Sequence, residues 1–523
     1  MPTTLDFKGF EHLSRWRPEA TLQAATAAGA TFAWDHRNDA TKHPTAYFLR
    51  SATAMDAFNP VMGYGDFIPL ASPALTGTFG AGATAVFHPS QGPRGTVAAG
   101  ATTTSITLTT ALPSAVGINQ LANRGDGVGF IIRISTNTAG ASGTTEERTI
   151  VANTGGTTPT ITVTPALTQA PASGATYEIL SGRVYLLSAG TTAAGVWKHY
   201  DVATNSISGN LATTNLPTTI GTDSSLVALS ESHVPANRVP GSGFVSGGAT
   251  VDTKNAIQAT ATTSTTITGS AMPASLQANE YRNFQVRIVA DSVTPTAVGQ
   301  RRRISSHTAG ATGVFTVASA FTVTPSSSAV FVVENDDDKI LLTSSAGLFI
   351  YNYNITANTW DTSTWAVPVA HGAGVVMEQA FGIVRDDSAT ARHSFIYRVR
   401  GGASAAIDVL DIAAAATGTW TNDMTYGNRA QTFTTGTCGA YDSATSGGKW
   451  LHLNVNGTAR MVRFDMRNRV MENGTFVANL QGAALVGGKL FVSTFIDGTT
   501  KLTRLYQALQ TSNQVISQVL PPN

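Results

Sequence analysis

The stretch Phe130-Ile131-Ile132-Arg133-Ile134 returns 154 residues later as Phe284-Gln285-Val286-Arg287-Ile288. The same offset carries Phe130–Ile179 onto Phe284–Val333 without a gap. Arg148 and Ile150 meet Arg302 and Ile304, Thr162-Val163 meets Thr316-Val317, Pro171 meets Pro325, and Tyr177 meets Phe331. Aromatic, β-branched and proline positions are kept while polar ones drift, as in two copies of one β-rich unit. Each copy is introduced by a threonine-rich strand, Ser105–Thr109 or Ser264–Thr268. The spacing predicts two homologous small β-domains, at 92–182 and 246–338.

Outside these copies a shorter cassette recurs: an apolar strand, a turn, and a second strand ending in an aromatic or apolar residue followed by Asp or Asn. Arg183–Leu187 precedes Tyr200-Asp201, Lys339–Leu342 precedes Tyr353-Asn354, and Lys449–Leu453 precedes Phe464-Asp465. Phe395–Val399 precedes Asp408–Ile412 in the same way. The terminal Asp or Asn can bond its own following backbone and fix the next turn. One such sheet cannot bury both faces, so neighbouring copies must stack or close into a ring. Tyr200, Tyr353 and Phe464 are therefore expected to pack between blades. The expected order is an N-terminal segment (1–45), propeller (46–91), first insert (92–182), propeller (183–245), second insert (246–338), propeller (339–510) and a tail (511–523). Pro18–Ala25 reads as a short helix with proline in its first turn.

Composition agrees with an all-β chain. Charged residues make up 12% of the 523, against roughly a quarter in an average domain. Threonine, serine and asparagine must then carry the surface, and 50 Gly and 21 Pro supply turns. A net charge of +1 gives no bulk attraction to nucleic acid or an anionic membrane. The single cysteine, Cys438, cannot form an intrachain disulfide. No apolar run has signal-peptide or membrane-spanning length, so neither secretion by that route nor a membrane span is expected.

The cassette resembles the blades of kelch-type β-propellers, through Tyr200-Asp201-x-x-Thr204-Asn205 and Tyr353-Asn354-x-x-x-Asn358-Thr359-Trp360. The resemblance implies about five to seven blades. The inserted unit resembles a β-repeat of structural proteins of tailed bacteriophages, in its apolar-x-Arg-Ile, Arg-x-Ile, Thr-Val, Pro and aromatic positions. Asp6-Phe7-Lys8-Gly9-Phe10-Glu11, Trp34-Asp35 and Arg124-Gly125-Asp126-Gly127 resemble virion proteins of the same phages. The resemblance implies a non-enzymatic tail or neck component, a ring, collar or fibre-anchoring subunit, present in the virion and assembled in the host cytoplasm. Its expected partners are other virion proteins and copies of itself, without nucleic acid or membrane. A receptor- or glycan-binding module on a host surface is the alternative, and a glycan-active enzyme comes third.

No residue pattern signals catalysis, a cofactor or a metal. Glu334–Asp338 lacks the alternate carboxylates and central glycine of a calcium loop and reads as a connecting loop. The run Asp35-His36-Arg37-Asn38-Asp39 reads as a polar loop, and Arg124-Gly125-Asp126 as a turn. Asp201, Asp411 and Asp465 share one cassette position, which favours turn fixing over paired-carboxylate hydrolysis. The charged stretches Glu146-Glu147-Arg148 and Arg301-Arg302-Arg303 are read as loops near assembly contacts. At the constant offset Glu147 meets Arg301, opposite charges suited to contacts between inserts of neighbouring subunits.

Overall fold

The computed structural model describes residues 17–520 apart from 22–29, 35–45, 59–67, 70–78, 136–142, 230–255, 382–393, 412–418, 423–431, 443–448, 473–490 and stretches of about five residues or fewer elsewhere. The fold is all-β and propeller-like. Among the described residues six antiparallel sheets, five of four strands and one of five, follow one another, each running from an inner to an outer strand. Blade 1 runs from Thr31–Trp34 to Ile68–Pro69, blade 2 from Thr84–His88 to Ser206–Ile207, and blade 3 from Ser225–Leu229 to Thr359–Trp360, with Trp365–Ala366 added alongside. Blade 4 runs from Val376–Phe381 to Thr419–Asn422 and blade 5 from Cys438–Asp442 to Val470–Glu472. Blade 6 is built from Phe491–Asp497, Thr500–Ala508 and Gln514–Leu520, and its outermost strand is Arg17–Thr21.

That last strand corrects the helix expected at Pro18–Ala25 as far as Thr21; residues 22–25 lie outside the described residues. Arg17 pairs with Ser517, Pro18 with Ile516 and Thr21 with Gln514, with a register shift between Pro18 and Ala20. Proline has no N–H to give a ladder, but it is tolerated on an outer strand with one open side. Pairing across the ring outweighs the weak local helix propensity of the segment. The 1–45 and 511–523 segments thus both supply strands to the propeller.

Apolar clusters bind the blades together. Tyr47, Phe87, Val184 and Tyr200 fill the space between blades 1 and 2. Tyr185, Trp197, Ile340, Tyr353 and Trp360 do so between blades 2 and 3. Val227, Leu341, Met377 and Ile396 join blades 3 and 4, and Val376, Tyr397, Leu451 and Phe464 join blades 4 and 5. Phe32, Phe48, Phe58, Tyr506 and Val515 form the cluster that brings blade 6 back onto blade 1.

Both duplicated units enter between the first and second strands of a blade. His88 and Arg183 are directly opposed partners in blade 2, and Leu229 and Lys339 in blade 3. Each insertion therefore leaves and re-enters at one hairpin end, and the ladder is unbroken. The first insert has strand order Arg94–Thr96, Thr176–Leu180, Ile131–Ser135, Glu146–Asn153, Thr160–Thr164, Ser105–Thr107. A bridge between Val97 and Leu108 closes it into a barrel. The second has the equivalent order, Ile257–Thr262, Val330–Glu334, Gln285–Asp291, Arg301–His307, Val314–Val317, Thr266–Gly269, closed by pairing of its first and last members. Ile132, Ile150, Ile161 and Tyr177 fill the first barrel, and Val286, Ile304, Phe315 and Phe331 the second.

Deleting Arg17–Thr21 removes the outer ladder of blade 6, and its partner Gln514–Leu520 becomes an unpaired edge. The thermal midpoint is expected to fall by several degrees, with proteolysis first cutting blade 6. An unchanged midpoint and cleavage pattern would show that closure does not depend on this strand.

Candidate functional site

The two barrels emerge from adjacent blades and meet. Gly143–Thr144 of the first pairs antiparallel with Ala290–Asp291 of the second, and the Thr145 N–H donates to the Val289 carbonyl. On the second barrel Ala256, Val289, Ala290, Val330 and Val332 form a buried apolar row. Glu178 lies at a charged junction beside it. It accepts from Arg94 at 2.8 Å, lies 3.9 Å from Arg133, and faces Arg301 of the other barrel at 3.8 Å. Arg94 also donates to Thr356 Oγ1 of blade 3, and Gln120 to the Ala203 carbonyl of blade 2. The inserts are thus braced on each other and on the ring.

The charged stretches are not loops. Glu146-Glu147-Arg148 opens the strand Glu146–Asn153, and Arg301-Arg302-Arg303 opens Arg301–His307. Their side chains do equivalent internal work. Arg148 Nε donates to the Ala166 carbonyl at 3.0 Å, and Arg302 Nε to that of Ala320 at 2.8 Å. Each places Nη1 on the preceding carbonyl, Glu147 or Arg301. Glu146 accepts from Arg148 Nη2 at 2.6 Å and from the Thr168 N–H at 2.9 Å. Gln300 takes that place in the second copy, accepting from the Thr322 N–H at 2.7 Å. Glu146 and Arg148 are buried. Glu147 is tied to Arg133 at 2.7 Å, Arg301 faces Glu178, and exposed Arg303 lies against Asn283. Glu147 and Arg301 thus have their partners within one chain.

The blade aromatics lie between sheets. Tyr200, Tyr353 and Phe464 are buried. Tyr353 meets Trp197 edge-on at 5.2 Å, Tyr200 lies 5.9 Å from Tyr47, and Phe464 lies 6.1 Å from Tyr397. Tyr200 donates to Asn205 Oδ1 and Tyr353 to Asn358 Oδ1, five residues on in each case. Asn205 and Asn358 are left-handed, at φ 47° and 50°, and Arg469 holds the matching place after Phe464 at φ 62°. Burial raises the pKa of both tyrosines, with the nearby Asp201 adding to it at Tyr200 and Tyr185 at Tyr353. Asp201 accepts from the Thr204 N–H, and Asp465 from those of Arg467 and Asn468, so both close a turn. Asn335–Asp337, Asp35–Asp39 and Arg124–Asp126 lie outside the described residues.

A second group gathers on the face opposite the inserts, where loops enter the inner strands. Two residues before four of those strands stand left-handed Gly82, Asp223, Gly374 and Gly436. Asp223 is the non-glycine among them, and its Oδ2 accepts from the Gly436 N–H at 2.9 Å. Beside this ring of turns buried His371, Arg398 and Asp408 form one polar cluster with the half-buried Arg400. Sequence reasoning missed it, because these residues come together only when blade 4 folds. The one local signal is Arg-x-Arg followed eight residues on by Asp, which becomes a cross-strand pair. Phe349, 40% exposed, stands edge-on to Tyr351 at 6.4 Å on blade 3.

Among the described residues no group of three or more His, Cys, Asp or Glu is placed to hold a metal ion. No helix among them is long and apolar enough to cross a membrane. The chain matches no protein-family model, and no curated protein matches it. Among solved structures it is similar to the β-propeller domain of Cps50 (Swd1) from Myceliophteria thermophila, at 6% identity over 65% of this chain and 94% of that one, with a TM-score of 0.22. An α-L-arabinanase of Penicillium chrysogenum complexed with arabinobiose gives 10% identity over 80% and 98%, TM-score 0.22. Glutaminyl cyclase of Myxococcus xanthus gives 8% over 43% and 88%, TM-score 0.21. Scores of this size carry no argument, and the fold rests on this chain's own strand pairings.

Two stability outcomes follow. Tyr353→Ala should cost about 3–5 kcal/mol of unfolding free energy and Tyr353→Phe about 1 kcal/mol, read by denaturant titration; an unchanged Tyr353→Ala would remove the inter-blade role. Arg148→Ala leaves the Glu146 carboxylate buried without its cation and should cost about 3–5 kcal/mol. Glu146→Gln, which installs the residue of the second copy, should cost about 1 kcal/mol. Equal losses in the two variants would reject the equivalence of the two sites.

Proposed function

We propose that this chain is a non-enzymatic structural component of a tailed-phage virion, a ring, collar or fibre-anchoring subunit of the tail or neck that acts through protein–protein contacts. The observation that supports this reading is the investment in two copies of one barrel, each solidly filled and mounted on the same face of a closed ring. A filled barrel offers its outer surface and loops, which suits binding to other folded proteins. The virion setting comes from the resemblance of the inserted unit to phage structural repeats. Other virion proteins and further copies of the chain are the proposed partners.

One observation favours a second reading, a receptor- or glycan-binding module. The exposed Phe349 ring beside Tyr351 offers an aromatic surface of the kind on which a sugar ring can stack. A glycan array probed with the wild-type protein and Phe349→Ala separates the readings, since a signal lost in the variant supports the second.

The test of the first uses the register of blade 3. Because Leu229 and Lys339 oppose each other, residues 246–338 can be replaced by a short Gly-Ser bridge that joins two neighbouring strands. The shortened protein is expected to fold, with the circular dichroism of a β protein, and to be lost from assembled particles. Normal incorporation would overturn the assembly role of the second insert.

A further inference from the structure

The cluster on the face away from the inserts has a charge balance that makes it sensitive to acid. Arg398 and Asp408 are opposed residues on neighbouring strands of blade 4, both fully buried, and they pair directly. Arg400 forms a second, two-point contact with the same carboxylate, Nε to Oδ2 at 2.9 Å and Nη2 to Oδ1 at 2.7 Å. One carboxylate thus serves two guanidinium groups. The Trp420 ring lies 5.1 Å from the Arg398 guanidinium.

Arg398 has donors to spare, and it uses them on the loop that enters blade 4 from blade 3. Nη1 donates to His371 Nδ1 at 2.9 Å and Nη2 to the Val369 carbonyl at 3.2 Å. A guanidinium only donates, so Nδ1 must carry a lone pair, and the proton of the neutral ring sits on Nε2. Nε2 is buried without a hydrogen-bond partner among the described residues, and the Ser344 backbone of blade 3 lies near the ring. Two further bonds fasten the loop, Gly372 N–H to the Arg400 carbonyl and Gly402 N–H to the Ala373 carbonyl, both 2.9 Å. The packing there admits no extra atom: a β-carbon built on Gly372 would stand 2.6 Å from the Gly402 α-carbon.

We propose that His371 is the pin of an acid-released latch: neutral, it accepts from Arg398 and holds the loop Val369–Gly374 against blade 4; protonated, it loses that bond and the loop is released. A proton on Nδ1 removes the acceptor and sets a third cation beside Arg398 and Arg400, with Asp408 the lone anion facing them among the described residues. The protonated ring is disfavoured in the closed loop, where burial first and Arg398 second bring its pKa down to about 4, against small upward pulls from the Ser344 backbone and Asp408. In the opened loop the ring regains its ordinary value, about 6.5. The latch is thus fully favoured above about pH 6.5, and its closing constant falls about tenfold per pH unit from there to about pH 4.

Amide hydrogen exchange at Gly372 and Gly402, corrected for the intrinsic pH dependence of exchange, tests this between pH 7 and pH 4.5. Wild-type protein should show opening that rises steeply with acid at both amides, most steeply, at nearly tenfold per unit, at about pH 5, while the blade 1 strand Ala46–Ser51 stays flat. His371→Gln keeps an acceptor that does not titrate, so its opening should be independent of pH. Opening in the wild type that does not depend on pH, that rises equally in His371→Gln, or that rises in step with blade 1 would each overturn the latch. If His371→Gln does not fold, His371→Asn and the imidazole titration of wild-type protein by NMR decide it. A ring that titrates near pH 6.5 with unchanged protection of Gly372 overturns it as well.

Discussion

The ladder between Arg17–Thr21 and Gln514–Leu520 is the constraint on which the rest of the ring depends. A series of twisted sheets packed face to face leaves two apolar ends unless the last is returned to the first. Here the return is made twice: by hydrogen bonds that complete blade 6 with a strand from the other end of the series, and by the Phe32, Phe58 and Tyr506 cluster that joins blades 6 and 1. Phe58 and Tyr506 meet edge-on at 6.1 Å. Once the ring is closed, each blade buries both faces, and a large excursion from a hairpin end costs little. Loop-closure entropy grows only slowly with length, and His88–Arg183 and Leu229–Lys339 hold the two ends of each excursion together.

The two barrels show which features of a duplicated unit are fixed by packing and which are free. Ile150 N–H donates to the Phe130 carbonyl, and Ile304 N–H to that of Phe284, so the interior register is identical. Asn153 Oδ1 accepts from the Leu121 N–H at 2.8 Å, and His307 Nε2 accepts from the Tyr281 N–H at 2.8 Å. Different side chains present one acceptor at one point. The copies diverge where they meet. In the second, Asp291 accepts from the Val293, Thr294 and Ser326 N–H groups and folds its loop back on itself. In the first, the chain reaches out as Gly143–Thr144 and pairs with that same Asp291 strand. The contact is therefore one-way, and the copies are not interchangeable.

The duplication was legible because an offset of 154 preserves the inward and outward alternation of every strand from Ile131 onward. The opening hairpins are equivalent at 161 instead, Val163 bonding to Thr104 as Val317 does to Thr265. The difference lies in the loop between, which packing does not fix. The stretch after Pro18 reads as helix because its neighbours favour one locally, while the strand partner of Pro18, Ile516, lies nearly the whole chain away. Glu146–Arg148 and Arg301–Arg303 read as loops because a charged run ordinarily marks a solvated one, whereas both open strands. In the barrels Arg148 and Arg302 satisfy the Ala166 and Ala320 carbonyls, in the loop beyond the following strand, a use that composition does not record. The His371 cluster was illegible for a plainer reason. Its members are ordinary surface types in sequence, and only blade 4 makes them a buried group.

Burial of histidines beside arginines gives the propeller a consistent response to acid. His199, on the third strand of blade 2, has its pKa brought down to about 3, by burial first and by Arg183 second. His371 repeats the arrangement in blade 4, with Arg398 in the place of Arg183. Both groups bind protons more weakly folded than unfolded. Their contribution to stability is therefore complete above about pH 6.5 and is lost as the pH falls toward their folded values. The two differ in what they hold. His199 lies within a sheet, its ring tilted against that of Tyr185 at 5.4 Å, so protonating it acts on the cooperative unit that contains blades 2 and 3. His371 holds a loop whose other hydrogen bonds to blade 4, among the described residues, are two between backbone groups and the one to the Val369 carbonyl. A few bonds open far more readily than a blade, so the loop should yield to acid first.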